Sequence, residues 1–325
     1  ILTSLVVILF SSFIASYLFD SKEYQSIIIY FGIGLGFFAF NGLLLAIING
    51  LKRFKLFIIA SLFGSFFTFI ITFVLVYLLG LYGALLAFAI GQSLVFFVTV
   101  YMVRGDLESW FRGVWKDKLE QVYYSRFFRY SLMALTSAIV IPSSQILIRK
   151  FIITNLSTND AGIWEGMNKI SLSYLGIITM SLSTYYLPRL SEIKEYALLK
   201  NEVFKTIIIV FPISIVLGVT IYFLRDFVIQ LLFTKDFLSM KVLFGPQMIG
   251  DSIKMMSWLL SFVMLAKAMT KLFIYSEIFF AISSVILSFI MIKKFGLIGS
   301  AYAYALNYFC YLLFLTFAFR KLRKI

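Results

Sequence analysis

The sequence contains no histidine and a single cysteine, Cys310. Without imidazole, histidine-based acid–base chemistry and histidine metal sites are excluded. One thiol can form neither an intrachain disulfide nor a thiolate metal cluster. Cys310 lies in an apolar run and is read as a small packing residue. Charge is scarce as well: Asp, Glu, Lys and Arg make up 14% of the 325 residues, against ~25% in an average soluble domain. Apolar residues reach 62%, where ~45–50% is usual, and mean hydropathy is +0.98. A soluble fold of this size has too little interior to hide that surface. The chain is therefore read as an all-α polytopic membrane protein with lipid as its solvent.

The ~10-residue alternating pattern of an outer-membrane barrel is absent. Ten apolar segments are predicted to span as helices: 1–18, 26–49, 56–79, 81–103, 127–147, 162–187, 206–224, 248–266, 272–292 and 297–319. Each approximates the ~20 residues that a crossing needs. Connections are short except 104–126, 189–205 and 225–247. The first of these carries Trp110, Phe111 and Trp115 among five bases and four acids. It is predicted to be an amphipathic helix lying at the interface.

The net charge is +14. In a soluble protein that would suggest nucleic acid, but here the bases lie between spans, so no nucleic-acid partner is inferred. Lys and Arg in alternate connections divide 18 to 8, with the larger group on the side of the C-terminal tail. The positive-inside bias then predicts a cytoplasmic C-terminus.

An internal repeat is present. Gly80-Leu-Tyr-Gly-Ala-Leu-Leu-Ala-Phe-Ala-Ile90 matches Gly296-Leu-Ile-Gly-Ser-Ala-Tyr-Ala-Tyr-Ala-Leu306 at an offset of 216. Lys55-Leu-Phe-Ile58 matches Lys271-Leu-Phe-Ile274 at the same offset. Both copies fall on one side of the membrane, which makes the repeat parallel, about an axis along the membrane normal. The offset places the start of a second half near residue 109 and predicts about a hundred residues ahead of Ile1. The expected parent has twelve helices in two six-helix lobes. The chain would hold the last four helices of the first lobe (1–103), a linker (104–126) and a complete second lobe (127–325).

Charges inside spans are costly in lipid and mark functional candidates. Glu165 and Lys169 share a face four residues apart, and Asp251 and Lys254 lie three apart on another helix. Each pair is either a neutralising pair that eases insertion or part of a hydrated cationic cavity. In the second reading Lys169, Lys254 and Arg149 bind an anionic substrate, and Glu165 or Asp251 carries a coupling proton or sodium ion. At the repeat offset Asp251 corresponds to Leu35 and Lys254 to Phe38, so general packing does not explain the charge. Glu277 and Lys267, nearer helix ends, are read as snorkelling groups. Pro142, followed by Ser143, Ser144 and Gln145, breaks the hydrogen-bond ladder of its span and is read as a gating hinge or a static kink. Asn41 and Asn307 are expected to make interhelical hydrogen bonds, and Gly32-x-x-x-Gly36, Gly83-x-x-x-Ala87 and Gly299-x-x-x-Ala303 to form close-packing faces. Tyr302, Tyr304 and Tyr308 are assigned to packing or the interface ahead of sugar stacking. There is no ATP-binding motif, and no cofactor is expected.

Gly162-Ile-Trp-Glu-Gly166, Tyr185-Tyr-Leu-Pro-Arg-Leu190, Leu224-Arg-Asp-Phe227, Gly250-Asp251 with Lys254, and Leu265-Ala-Lys-Ala268 carry a family likeness. They resemble the corresponding segments of Wzx-type O-antigen flippases, among them those for the lipid-linked enterobacterial common antigen unit. The resemblance runs over essentially the whole chain. It implies the multidrug/oligosaccharidyl-lipid/polysaccharide exporter superfamily, twelve helices in two lobes, and alternating access. It also implies an undecaprenyl-diphosphate-linked oligosaccharide as substrate, moved from the cytoplasmic to the periplasmic leaflet of a bacterial inner membrane. Membrane lipid and polysaccharide-assembly proteins are the implied surroundings and partners. Two alternatives stand beside it: a cation-coupled multidrug antiporter, and an integral-membrane glycosyltransferase or polymerase.

Overall fold

A computed structural model describes residues 2–19, 21–111 and 121–321. Among the described residues all regular structure is helical. The chain divides into two compact units, Ile1–Lys118 and Leu119–Ile325.

In the first unit, α1 (Leu2–Leu9) and α2 (Ser11–Phe19) meet at a bend of 67°. The single straight span expected over 1–18 is therefore broken. The break falls at Phe10, and in the helix that follows Ser16 Oγ donates back to the Ser12 carbonyl at 2.9 Å. A 3-10 turn at Lys22–Tyr24 leads into α3 (Gln25–Gly50).

Helix α4 (Phe54–Phe111) reads as one helix of 58 residues. At 1.5 Å per residue it would be roughly 87 Å long, nearly three times a ~30 Å hydrocarbon core. Gly80, at φ 56° and ψ −130°, breaks it. That backbone region is essentially open only to glycine. The two halves fold back on each other: Arg53 bonds Asp106 at 2.5 Å, a Cβ on Gly64 would meet Val95, and one on Gly91 would meet Thr68. Beside the turn, a Cβ on Gly83 would stand 1.9 Å from the Leu75 carbonyl oxygen. Glycine at both positions is thus what lets a two-span hairpin close without a loop. The outer face of the hairpin presents Phe63, Phe66, Phe69 and Phe73, as a helix surrounded by lipid requires.

The second unit comprises α5 (Gln121–Asn155), α6 (Thr158–Ser181), α7 (Leu187–Glu192), α8 (Tyr196–Phe223), α9 (Arg225–Leu232), α10 (Lys241–Ala266), α11 (Thr270–Phe295) and α12 (Ile298–Lys321). Ser157 caps α6 by accepting from the Asp160 amide at 3.0 Å. A π-helical turn, Leu182–Tyr186, joins α6 to α7, and Pro188 follows in the first turn of α7. Helix α5 continues through Pro142 without a break. Helix α10 forms the centre: Leu243, Phe244, Met255, Leu259 and Val263 are buried there, with Met133, Met167 and Leu190 packed around them. Among the described residues eight helices are long and apolar enough to cross a membrane, nine with α1–α2 as one bent span, and α4, the longest of them, is divided at Gly80.

The repeat is written into the backbone. Among the described residues the left-handed non-glycine residues are Lys52 (φ 57°) and Ala268 (φ 50°), and the left-handed glycines are Gly80 and Gly296 (φ 66°), each pair 216 apart. The hydrogen bonds Lys52 N to Asn49 O and Arg53 N to Ile48 O recur as Ala268 N to Leu265 O and Met269 N to Met264 O. A Cβ on Gly299 would lie 2.1 Å from Met291 O, the counterpart of the Gly83–Leu75 approach.

The stretch expected to form a separate interfacial helix, 104–126, is different. Residues 104–111 continue α4 and 121–126 begin α5. The rest of that expectation, Trp115 included, lies outside the described residues. The division between the units falls within it, at Lys118 and Leu119.

Candidate functional site

The most enclosed charges lie on α10. Asp251 is 1% and Lys254 8% exposed. An unpaired carboxylate in such a place carries a penalty of several kcal/mol, so its partners define the site. Ser171 Oγ and Tyr174 OH from α6 both donate to Asp251 Oδ2 at 2.6 Å, and Tyr304 OH from α12 donates to Oδ1 at 2.6 Å. Gln247 Nε2, one turn before Asp251, donates to Ser171 Oγ at 3.1 Å. The carboxylate thereby ties three helices together.

Helical periodicity explains the construction. Ser171 and Tyr174 are three residues apart and face α10 together, as Gln247 and Asp251 face α6. Gly250 completes it: a Cβ there would stand 2.5 Å from the Tyr304 ring, so only glycine lets the tyrosine reach its neighbour Asp251.

Lys254 points into a cage of π faces. Its Nζ lies 4.8 Å from the Trp258 ring centre, 5.3 Å from Tyr308 and 5.5 Å from Tyr304. Tyr304 and Tyr308 pack edge to face at 4.9 Å. Among the described residues no carboxylate approaches the ammonium within 4.0 Å. Asp251 and Lys254 are neighbours, not an ion pair; the positive charge is held by ring quadrupoles.

The other candidate pair is rearranged too. Glu165 does not turn to Lys169: it accepts from Arg149 at the end of α5. An expected cation for substrate and an expected acid for coupling thus neutralise each other across two helices, half exposed. Lys169 is exposed and makes no ion pair among the described residues. Pro142 is exposed within an unbroken helix, and Ser144 Oγ donates to the Ile141 carbonyl at 2.8 Å.

Asn41 and Asn307 are buried, and the Oδ1 of each lacks a hydrogen-bond partner. Glu277 does not simply snorkel; it accepts from Ser137 Oγ of α5 at 3.3 Å. Lys267, just beyond α10, donates to the Ile193 carbonyl at the end of α7, and partial desolvation lowers its ammonium below the ordinary pKa. Reasoning from sequence missed Ser171, Tyr174, Gln247 and Trp258, and gave Tyr304 and Tyr308 to general packing. The available signal was the polar pair Ser171 and Tyr174, three apart in an apolar span.

Comparison with known proteins places these features in context. A family described as polysaccharide biosynthesis protein matches residues 1–242. Lipid III flippases of Escherichia coli (strain K12) and Shigella flexneri are each 30% identical over 313 residues, 95% of this chain and 74% of theirs. Among solved structures, a MOP superfamily transporter from Pyrococcus furiosus superposes with a TM-score of 0.83 at 14% identity, over 100% of this chain and 76% of that one. An outward-facing MATE-family multidrug transporter gives 0.81 at 12%, over 100% and 77%. The structural likenesses establish a MATE-like transporter fold. The family match ends before Asp251 and Lys254.

Proposed function

The chain belongs to the polysaccharide biosynthesis protein family, and on that premise we propose that it is a flippase for a lipid-linked oligosaccharide. The observation that carries this reading is the likeness to the lipid III flippases along nearly the whole chain. It describes a multi-pass membrane transporter, not an enzyme. The multidrug antiporter alternative has a likeness of fold behind it and nothing more specific.

We assign the substrate as an undecaprenyl-diphosphate-linked oligosaccharide, taken up in the cytoplasmic leaflet of the inner membrane with the C-terminus on that side. Exposed Lys169 is the readiest cation for the diphosphate. Arg149 joins it when it leaves Glu165. Lys254, enclosed in its cage, acts on the path through its field and not by direct contact. The prenyl chain stays in lipid while the glycan crosses among polar groups, and the transporter exposes the site to each leaflet in turn, with Pro142 as the flexing point of α5. Asp251 or Glu165 carries the coupling proton or sodium ion, and polysaccharide-assembly proteins receive the product.

The test is complementation of a flippase-null strain, paired with flipping of a defined glycan lipid in proteoliposomes under imposed proton and sodium gradients. Restored flipping supports the assignment. Absence of flipping by the well-folded protein refutes it. Unchanged transport on neutralising both Asp251 and Glu165 removes the coupling role alone.

A further inference from the structure

Helix α9 has two apolar faces, and the fold uses only one. Ile229 is fully buried in the core of the second unit, with Val228 packed behind it. On the opposite side Phe227 is 61% and Leu231 66% exposed, with Leu224 continuing the stripe one turn earlier. Residues 224, 227 and 231 follow the i, i+3, i+7 spacing of one helical face. Water would oppose such a stripe; an occupant must cover it.

The surroundings of α9 identify that occupant. No loop separates it from α8: the Leu224 amide bonds the Thr220 carbonyl and the Val228 amide bonds Leu224. The exposed stripe thus prolongs the lipid-facing side of a spanning helix, whose last residue, Phe223, is itself exposed. At the junction the Arg225 guanidinium lies 4.3 Å from the Tyr222 ring and donates to the Tyr222 carbonyl at 3.1 Å. Arg225, Lys235 and Lys241 put cations around the helix, as an aromatic and basic belt does at headgroup level. Lys241 pairs with Asp226 and so neutralises the one acid on α9.

We propose that α9 is an interfacial helix whose Phe227 and Leu231 insert into the leaflet opposite the C-terminal tail, with phospholipid as the partner of this surface. Such helices bury their apolar face about 5–10 Å into the headgroup and acyl boundary. The segment that follows α9 packs on α6 beside Glu165. Phe233 and Met240, in the segment after α9, pack where a Gly166 Cβ would stand 3.0 Å and 2.7 Å from them, and Phe237 lies against Gly162. Glu165, the partner of Arg149, is next to Gly166.

The experiment is depth measurement by electron paramagnetic resonance in phosphatidylethanolamine/phosphatidylglycerol proteoliposomes. A nitroxide is placed by Leu231→Cys in a Cys310→Ser background of the full chain, with labels at Gln230→Cys and Ile229→Cys as water-side and core references. A Leu231 label that collides with oxygen and is shielded from a water-soluble nickel chelate supports lipid. A label reached by the chelate as readily as Gln230 overturns the proposal, and one shielded from both, like Ile229, means a protein covers the face and overturns it too. Phe227→Cys gives a second reading of the same face should the Leu231 variant fail to fold.

Discussion

Helix α3 with the second half of α4, and α10 with α12, are the same helix pairing at two places 216 residues apart. In each, a glycine allows close approach: Gly34 to Ser93 and the Ala89 carbonyl, Gly250 to Tyr304 and Ala305. What they hold differs. At the positions of Asp251, Lys254, Trp258, Tyr304 and Tyr308 the first unit has Leu35, Phe38, Gly42, Phe88 and Gln92. Phe88 is 84% exposed, whereas its counterpart Tyr304 carries a hydrogen bond to a buried carboxylate. The pairing therefore does not need charge. Charge in the second unit needs the pairing, plus three hydroxyls and three rings that the scaffold alone does not demand. On α10 and α12, where both copies can be compared, the charge and rings occur in the second only, and this asymmetry is the physical reason for the proposal that the cluster serves transport.

That contrast can be broken in four ways. The largest effect is expected from Asp251→Ala, which leaves the buried hydroxyls of Ser171, Tyr174 and Tyr304 without their acceptor. Leaving a buried polar group without its partner costs about 1–3 kcal/mol, and flipping in the proteoliposome assay should fall at least about tenfold. Leu35→Ala should leave flipping within about twofold; equal losses at both positions would show that the difference is not functional. Next, Gly296→Ala and Gly80→Ala each force a side chain into a backbone region costing on the order of 1–3 kcal/mol. Their melting points in detergent should drop alike, because the two hairpins are alike.

Gly250→Ala and Gly34→Ala separate scaffold from site. Both Cβ atoms would meet a neighbour at 2.5 Å, but at Gly34 that neighbour is the small Ser93 hydroxyl, and at Gly250 it is the Tyr304 ring. Overpacking costs about 1–3 kcal/mol. Only Gly250→Ala should also depress flipping, by pushing Tyr304 off Asp251. The smallest effect belongs to Trp258→Leu, which removes one face of the cage, a contact of about 0.5–2 kcal/mol. Unaltered flipping with a lowered melting point would make that ring structural.

Much of this architecture was legible beforehand because it rests on composition and on glycine. Lipid demands long apolar helices, and the Gly80 and Gly296 strings fix both the repeat and the hairpins. The site was legible only in its charges. Asp251 and Lys254 stand out in an apolar span, but which groups meet them depends on which faces of α6 and α12 turn inward. Helices that are apolar all round do not reveal that. The expected Glu165–Lys169 pair failed for the same reason: Arg149, sixteen residues earlier, comes closer across the α5–α6 turn than the residue one helical turn along. The bend between α1 and α2 was missed because it falls at Phe10, where no proline or glycine marks it.

The loopless turn at Gly80 bears on how the protein is made. With Leu79 and Leu81 on either side and no polar segment to emerge, neither half of α4 has a stop of its own at that end. The two halves must enter the bilayer as one folded pair, so an epitope or protease site inserted at Gly80 should abolish assembly, while the same insert between Gly50 and Phe54 meets a short connection between helices.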